Sequence, residues 1–315
     1  MSTANTPARI IQIGLGQMGL ALAQRTIAVG YEVVGFDISP LARDQAAAVG
    51  IATHPQLGDV FGSAPQKPRV IVLCIPEEHI DNLLIDLREL VSSGDIIVDM
   101  SNSFFMQSAR RQQLCKDTGV HFIDCGVLGS ASRLTAGPVL MLGGEINGVQ
   151  LAESILRSIA KDEGVTHVGG PGAGHFAKMI HTAIEYGMMG AIAEGFYMLE
   201  EHAQALDLQI DKVFRPYGEG NIIRSQLMQW LQTTYSNDPS LQTLQHSVAP
   251  EHADMDMEYL TDHEPARILD AAVIQRKLTR LEPSRMGAIL NAMRVHFGND
   301  LKRSQDEHKQ TDEEV

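Results

Sequence analysis

The stretch RIIQIGLGQMG, Arg9–Gly19, decides how the chain is read. A short apolar run, Ile10–Ile13, leads into glycines spaced G-x-G-x-x-G at Gly14, Gly16 and Gly19, with Leu15, Gln17 and Met18 between them. The next stretch, GLALAQRTIAVG (Gly19–Gly30), has helical spacing and a terminal glycine. A strand, a glycine turn and a helix in that order place backbone N–H groups and the positive end of a helix dipole where a pyrophosphate can sit. The glycines allow the tight turn and the close backbone approach. The following apolar run, YEVVGFD (Tyr31–Asp37), ends in a carboxylate 18 positions after Gly19. A carboxylate there accepts hydrogen bonds from both ribose hydroxyls of NAD and repels the 2′-phosphate of NADP. Asp37 therefore predicts NAD over NADP, with Arg43 close enough to blur the preference.

Outward from this motif the pattern alternates. RVIVLCIP (Arg69–Pro76), DIIVDMS (Asp95–Ser101), VHFIDCGVLG (Val120–Gly129) and GPVLMLGG (Gly137–Gly144) read as strands, and IDNLLIDLRELV (Ile80–Val91) as a helix. Such alternation predicts a parallel sheet covered on both faces. Cys74, Ile75 and Pro76 close one strand where such folds line the cofactor cleft. Asn102 and Ser103 follow another, at the carboxyl edge where ligands bind. From His175 onward strand signals disappear and helical ones take over. The fold class expected is an α/β Rossmann-type dinucleotide-binding domain (residues 1–170) followed by an all-α substrate and oligomerisation domain (171–300). The charged tail 301–315 is expected to be disordered.

Composition narrows the function classes. The chain has 315 residues and a formal net charge of −14. An acidic field repels nucleic acid, and no apolar run approaches the roughly 20 residues of a membrane span. The N-terminus lacks the apolar segment of a signal peptide. Cys74, Cys115 and Cys125 have no C-x-x-C spacing and read as reduced thiols of a cytoplasmic protein. The acidic segment with His252, Asp254, Asp256, Asp262 and His263 has no fixed metal-ligand spacing and reads as a solvated loop; no metal is expected.

One later segment concentrates ionisable groups: KMIHTAIEYG, Lys178–Gly187, entered through GGPGAGHFA (Gly169–Ala177). On a helix, Lys178, His181, Thr182 and Glu185 lie along one stripe, with Tyr186 one step around. Apolar runs on both sides argue against a solvated face.

GPGAGHFAKMIHTAIEYG, DMSNSFFMQSARR and GPVLMLGG together resemble the decarboxylating 6-phosphogluconate dehydrogenases, within the β-hydroxyacid dehydrogenases, over Ile10 to Gly298. The shorter, NAD-preferring members are similar in length. The resemblance implies oxidative decarboxylation of a sugar acid, 6-phosphogluconate to ribulose 5-phosphate, CO2 and NADH. Lys178 would be the general base, with its pKa lowered so that it is neutral when it reacts, and Glu185 the general acid. His181 would orient the substrate hydroxyl, Asn102 would bridge substrate and cofactor, and Tyr186, Arg276 and Arg294 would contact the distal anionic group. Ser103, Gly129, Ser130 and Thr182 complete the implied substrate site. A homodimer or homotetramer is implied, in which the C-terminal segment of one subunit completes the partner's pocket; whether Arg294 acts in trans or in its own chain stays open.

The chain also departs from that family. Thr182 and Ala183 stand where it has asparagine and glycine, and Leu128 where it has a substrate-binding serine. HADMDMEYLTDHEPAR (His252–Arg267) replaces a glycine-rich phosphate segment, and Asp300 replaces a histidine. Two readings stay open. In one, the phosphate of 6-phosphogluconate is held by Arg276, Arg294, Tyr186 and Arg224. In the other, the chemistry is kept on a different sugar acid or β-hydroxy acid. A catalytically weak NAD-binding sensor is a third alternative.

Overall fold

The computed structural model describes residues 9–63, 68–129, 131–219 and 222–297. The expectations for Ser130, Asp300 and the tail 301–315 lie outside these. The chain divides into two compact units between Lys178 and Met179.

The first unit is built on one sheet of eight strands: β1 (Ile10–Ile13), β2 (Val33–Phe36), β3 (Ala52–His54), β4 (Val70–Leu73), β5 (Ile96–Asp99), β6 (His121–Leu128), β7 (Val139–Gly143) and β8 (Val165–Gly169). The helices between them are α1 (Gln17–Ala28), α2 (Pro40–Ala48), α3 (Leu57–Ser63), α4 (Ile80–Leu87), α5 (Phe105–Lys116), α6 (Ala131–Leu134) and α7 (Ile146–Ile159). The strand order is β3-β2-β1-β4-β5-β6-β7-β8. The chain winds outward from β1 to β3, then returns to β4 on the other side of β1. That reversal opens a crevice at the carboxyl ends of β1 and β4, the place where open α/β sheets bind ligands.

The period-2 alternation of the strands explains why both faces are covered. Ile10, Val70, Ile96 and Ile123 pack with α1 and α7 residues such as Leu22, Ala152 and Leu156. Their sequence neighbours Ile11, Ile71, Ile97 and Phe122 pack on the other face with Val60, Phe61, Ile80 and Leu83 of α3 and α4. Apolar residues at both phases of a strand leave neither face for water.

The sheet is parallel except at one pair. β6 and β7 run antiparallel, with Cys125 opposite Leu142, a local departure within the expected parallel sheet. The connection, residues 129–138, holds only the one-turn α6, and is shorter than the dozen or so residues a parallel crossover needs. Strands β3 and β8 were not expected. β3 has three residues and β8 is largely exposed; both are outer strands of the sheet, defined by backbone pairing rather than by an apolar pattern.

An ion pair buried at the amino ends of β4 and β5 ties these strands together. The Asp95 carboxylate accepts from Arg69 Nε (3.0 Å), Arg69 Nη2 (2.6 Å), the Arg69 backbone N–H (2.8 Å) and the Ser92 N–H (2.9 Å).

The second unit is helical. Helix α8 (Ala173–Leu206) begins in the first unit and continues into the second, followed by α9 (Ile210–Gly218), α10 (Gln226–Asn237), α11 (His252–His263), α12 (Arg267–Leu281) and α13 (Arg285–Arg294). Phe196 of α8 stacks on Phe214 of α9 at 4.6 Å, and Tyr235 of α10 packs against both. Helices α10 and α13 are joined where Thr234 Oγ donates to the Ala292 carbonyl at 2.9 Å. No described helix is long and apolar enough to cross a membrane.

Removing one member of the Arg69–Asp95 pair strands a buried charge. Asp95→Ala is expected to lower the unfolding free energy by about 3–5 kcal/mol, read as a fall in the urea midpoint.

Candidate active site

The glycine turn after β1 divides its work among three positions. Gly14 has φ +90°, and a Cβ there would lie 2.2 Å from the Cys74 carbonyl oxygen. A Cβ at Gly19 would lie 2.0 Å from the Gly14 carbonyl oxygen, so this glycine lets α1 pack onto the turn. At Gly16 a Cβ would meet nothing within 4 Å. The first and third glycines are thus demanded by the protein's own backbone. The second opens space where α1 begins, and Gly16 makes no side-chain cap there. Uncapped N–H groups beside open space suit a pyrophosphate.

Asp37 is fixed by two backbone donors: Leu15 N–H to Oδ2 and Ser39 N–H to Oδ1, both at 2.8 Å. The carboxylate at the end of β2 is therefore held against the glycine turn, as a ribose acceptor requires. Arg43 is turned to the backbone, its Nη1 donating to the Asp37 carbonyl at 2.7 Å and the Ile38 carbonyl at 3.2 Å. These residues fit a dinucleotide.

Across the crevice, Cys74, Ile75 and Pro76 follow β4. Burial pushes the Cys74 thiol up to about 12, so it is no nucleophile at neutral pH. Asp99, at the end of β5, organises the next loop by accepting from the Ser101 N–H (3.0 Å) and the Ser103 hydroxyl (2.8 Å). Ser103 is buried, its hydroxyl directed at Asp99, whereas Asn102 is exposed at the carboxyl edge.

The start of α8 is anchored through a carboxylate in the middle of the sheet. Asp124 of β6, 1% exposed, accepts from the Gly172 N–H (2.7 Å) and the His175 N–H (3.0 Å). Its surroundings leave no room for side chains: a Cβ at Gly143 would lie 2.5 Å from both Asp124 carboxylate oxygens. His175 is buried and joins three elements, through Ser108 Oγ of α5 at 2.7 Å and the Asp99 carbonyl at 3.1 Å. One turn on, Lys178 lies over β6. A Cβ at Gly126 would sit 2.8 Å from the Lys178 Cβ, and the Lys178 ammonium donates to the Val127 carbonyl. Gly129, with φ +128°, ends this strand.

Further along α8, Thr182 is half-buried, and His181 Nδ1 lies 3.8 Å from Glu185 Oε2, with the Glu185 side chain 23% exposed. Lys178 and Glu185 are seven positions apart, two helical turns or roughly 10.5 Å along one face.

In the second unit Tyr186, Arg276 and Arg294 come together within one chain, around a residue the sequence did not single out. The Glu251 carboxylate accepts from Arg276 Nη2 at 3.2 Å, from Arg294 Nη2 and from the Tyr186 hydroxyl. Arg276 lies over the Tyr186 ring at 3.9 Å. Arg276 Nε also donates to Asp254 at 3.1 Å, and Arg280 pairs with the same carboxylate. Burial alone would raise the Glu251 carboxyl, but Arg294, the Tyr186 hydroxyl and Arg276 outweigh it and hold it below the usual range. Burial pushes the Tyr186 phenol up. The acidic segment is thus the helix α11 rather than a solvated loop, and Asp254 is buried. Arg224 is exposed ahead of α10. Among the described residues, no three His, Cys, Asp or Glu side chains gather to hold a metal ion.

Comparison with known proteins agrees with this layout. Residues 9–170 match the NAD binding domain of 6-phosphogluconate dehydrogenase, and residues 174–314 its C-terminal domain. The chain belongs to the 6-phosphogluconate dehydrogenase family. It is 32% identical over 290 residues to YqeC of Bacillus subtilis, which is assigned provisionally to these dehydrogenases, covering 91% of this chain and 96% of the relative. It is 31% identical over 229 residues to the NAD(+)-dependent, decarboxylating 6-phosphogluconate dehydrogenase of Haloferax volcanii, covering 72% of this chain and 75% of that protein. Among solved structures, the Plasmodium falciparum 6-phosphogluconate dehydrogenase superposes with a TM-score of 0.76 at 23% identity, covering 93% of this chain and 65% of that one. The protein is an oxidoreductase of that family with an NAD(P)-binding domain. Its relatives include NAD- and NADP-dependent enzymes.

Sequence reasoning missed Asp99, Asp124, Gly126 and Glu251. The first two did leave a signal: each is the one carboxylate in an apolar strand, IIVDM and HFIDCG, and such a group needs a partner.

Two variants separate the glycine roles. Gly16→Ala is expected to keep the thermal midpoint within a few degrees while weakening NADH binding at least tenfold in a fluorescence titration; Gly14→Ala should lower the midpoint itself. Asp124→Asn keeps one oxygen acceptor and turns an NH2 group toward one of the two N–H donors, because Gly172 and His175 bond different carboxylate oxygens. It is expected to cost about 1–3 kcal/mol in urea unfolding and to lower kcat through displacement of Lys178.

Proposed function

We propose that the protein oxidises a β-hydroxy sugar acid with NAD and decarboxylates the resulting β-keto acid. The observation that carries this reading is the single face of α8 on which Lys178, His181 and Glu185 follow one another. Its first turn is pinned to the sheet by Asp124, in the unit that holds the glycine turn. NAD, when bound, accepts the hydride from the carbon bearing the substrate hydroxyl. Lys178, neutral at that moment, takes the hydroxyl proton as the carbonyl forms. Loss of CO2 then leaves an enolate, whose oxygen the protonated Lys178 faces. Glu185 delivers a proton to the enol carbon, and His181 keeps that carboxyl oriented from one turn away. Asn102, exposed at the end of β5, orients the substrate toward the nicotinamide.

NAD is proposed over NADP because the Asp37 carboxylate is held at the glycine turn and Arg43 is engaged with backbone carbonyls. 6-Phosphogluconate is one acid of the proposed class. The Glu251 carboxylate between the arginines favours a different member.

Lys178→Met is expected to lower kcat about 10²–10⁴-fold while NADH still binds; Glu185→Gln should slow turnover with a changed pH profile. NADH formation and CO2 release, followed together on a panel of sugar acids, should appear one to one. NADH formed without CO2 would exclude the decarboxylation step. Tight NAD binding with no turnover of any β-hydroxy acid would point to a nucleotide-responsive binding protein.

A further inference from the structure

The cluster of Tyr186, Arg276 and Arg294 in the second unit already holds an anion of its own. Arg276 and Arg294 are each 2% exposed and come from different helices, α12 and α13. Two buried guanidiniums that converge on one point need a counter-charge, because an unpaired buried cation is strongly disfavoured. In this chain the counter-charge is the Glu251 carboxylate. Its Oε1 takes Arg294, and its Oε2 takes both Arg276 and the Tyr186 hydroxyl. Three donors on one carboxylate is the coordination that a bound carboxylate or phosphoryl group would receive. Glu251 precedes α11, and its side chain is 32% exposed, so it stands between the buried arginines and solvent.

The charge count points the same way. Arg276, Arg280 and Arg294 face Glu251 and Asp254, so two of three positive charges are already matched inside the protein. A phosphate dianion would have to evict Glu251 or sit beside a carboxylate that its neighbours keep ionised. One polar group remains over: Arg276 Nη1 is buried and has no hydrogen-bond partner among the described residues. A single neutral acceptor satisfies it without adding charge.

We infer that Glu251 is a specificity-determining residue that occupies the anion seat between Arg276 and Arg294, so that the substrate is an unphosphorylated sugar acid whose distal end carries a hydroxyl. This rests on the proposed sugar-acid chemistry for its catalytic consequence, but not for the occupancy of the seat. Tyr186 links the seat to the reaction, because it follows Glu185 on α8.

The test compares one carbon skeleton with and without its phosphate. Gluconate and 6-phosphogluconate are assayed with the full-length wild-type enzyme and NAD, and the same proteins are titrated with inorganic phosphate while the thermal midpoint is followed. Wild type is expected to show at least a tenfold higher kcat/KM for gluconate, and no midpoint shift at millimolar phosphate. Glu251→Gln, which removes the charge and keeps one oxygen acceptor, for Arg294 or for Arg276 and Tyr186, should raise kcat/KM for 6-phosphogluconate at least tenfold and make the midpoint phosphate-dependent. Wild-type preference for 6-phosphogluconate would overturn the inference, and so would a phosphate-induced shift as large in wild type as in the variant. If wild type turns over neither acid, the proposed reaction is wrong on this skeleton. The phosphate titration still decides the occupancy: a shift confined to Glu251→Gln supports it, and equal behaviour of the two proteins removes it. Should Glu251→Gln not fold, the wild-type substrate ratio and phosphate titration decide alone.

Discussion

A single buried carboxylate, Asp124, holds the start of helix α8 to the sheet. It lies in the interior strand β6, where an unpaired charge would be intolerable, and its two hydrogen bonds go to N–H groups at the start of α8. Those N–H groups have no partner inside the helix and sit at its positive end, so the charge and the helix terminus satisfy one another. The glycines around them are a consequence. Gly143, Gly174 and Gly126 let β6, β7 and α8 approach so closely that any Cβ would strike backbone, Asp124 or Lys178. Lys178 reaches the Val127 carbonyl because this approach is allowed.

The same solution recurs through the molecule. Asp95 gathers Arg69 and backbone donors between β4 and β5, and Asp99 gathers the loop after β5. In the second unit Glu251 gathers two arginines and a tyrosine. Asp95 and Asp99, like Asp124, are carboxylates taken out of water and given several donors, the arrangement in which burial of charge is tolerated, and Glu251 is a partly exposed variant of it. A chain with net charge −14 carries an excess of acids, and these four are structural organisers rather than surface charge. Asp124 fixes the start of α8 and Asp99 the loop after β5, whereas Glu251 neutralises the buried arginines.

Much of this was legible in advance where the signal is local. The glycine spacing after a short apolar strand names the turn because Gly14 and Gly19 are required by contacts a few residues away or at the neighbouring strand. The helical stripe from Lys178 to Glu185 follows from periodicity alone. What escaped has a shared cause. The antiparallel β6–β7 pair depends on the length of one connection. β3 and β8 depend on a neighbouring strand for their hydrogen bonds. The acidic segment from His252 reads as solvated because the arginines that neutralise Asp254 lie more than twenty positions later.

The sequence by itself determined that this is a dinucleotide-binding α/β domain followed by helices, and that lysine and glutamate share a face of one of those helices. Both follow from spacing, which the backbone geometry of strand and helix converts directly into position. Only the tertiary structure decided what the distal arginines face. Tyr186, Glu251, Arg276 and Arg294 come from four separate parts of the chain, and the partner of a buried charge is set by which groups packing brings within hydrogen-bond reach. Here packing brought a carboxylate of the chain itself.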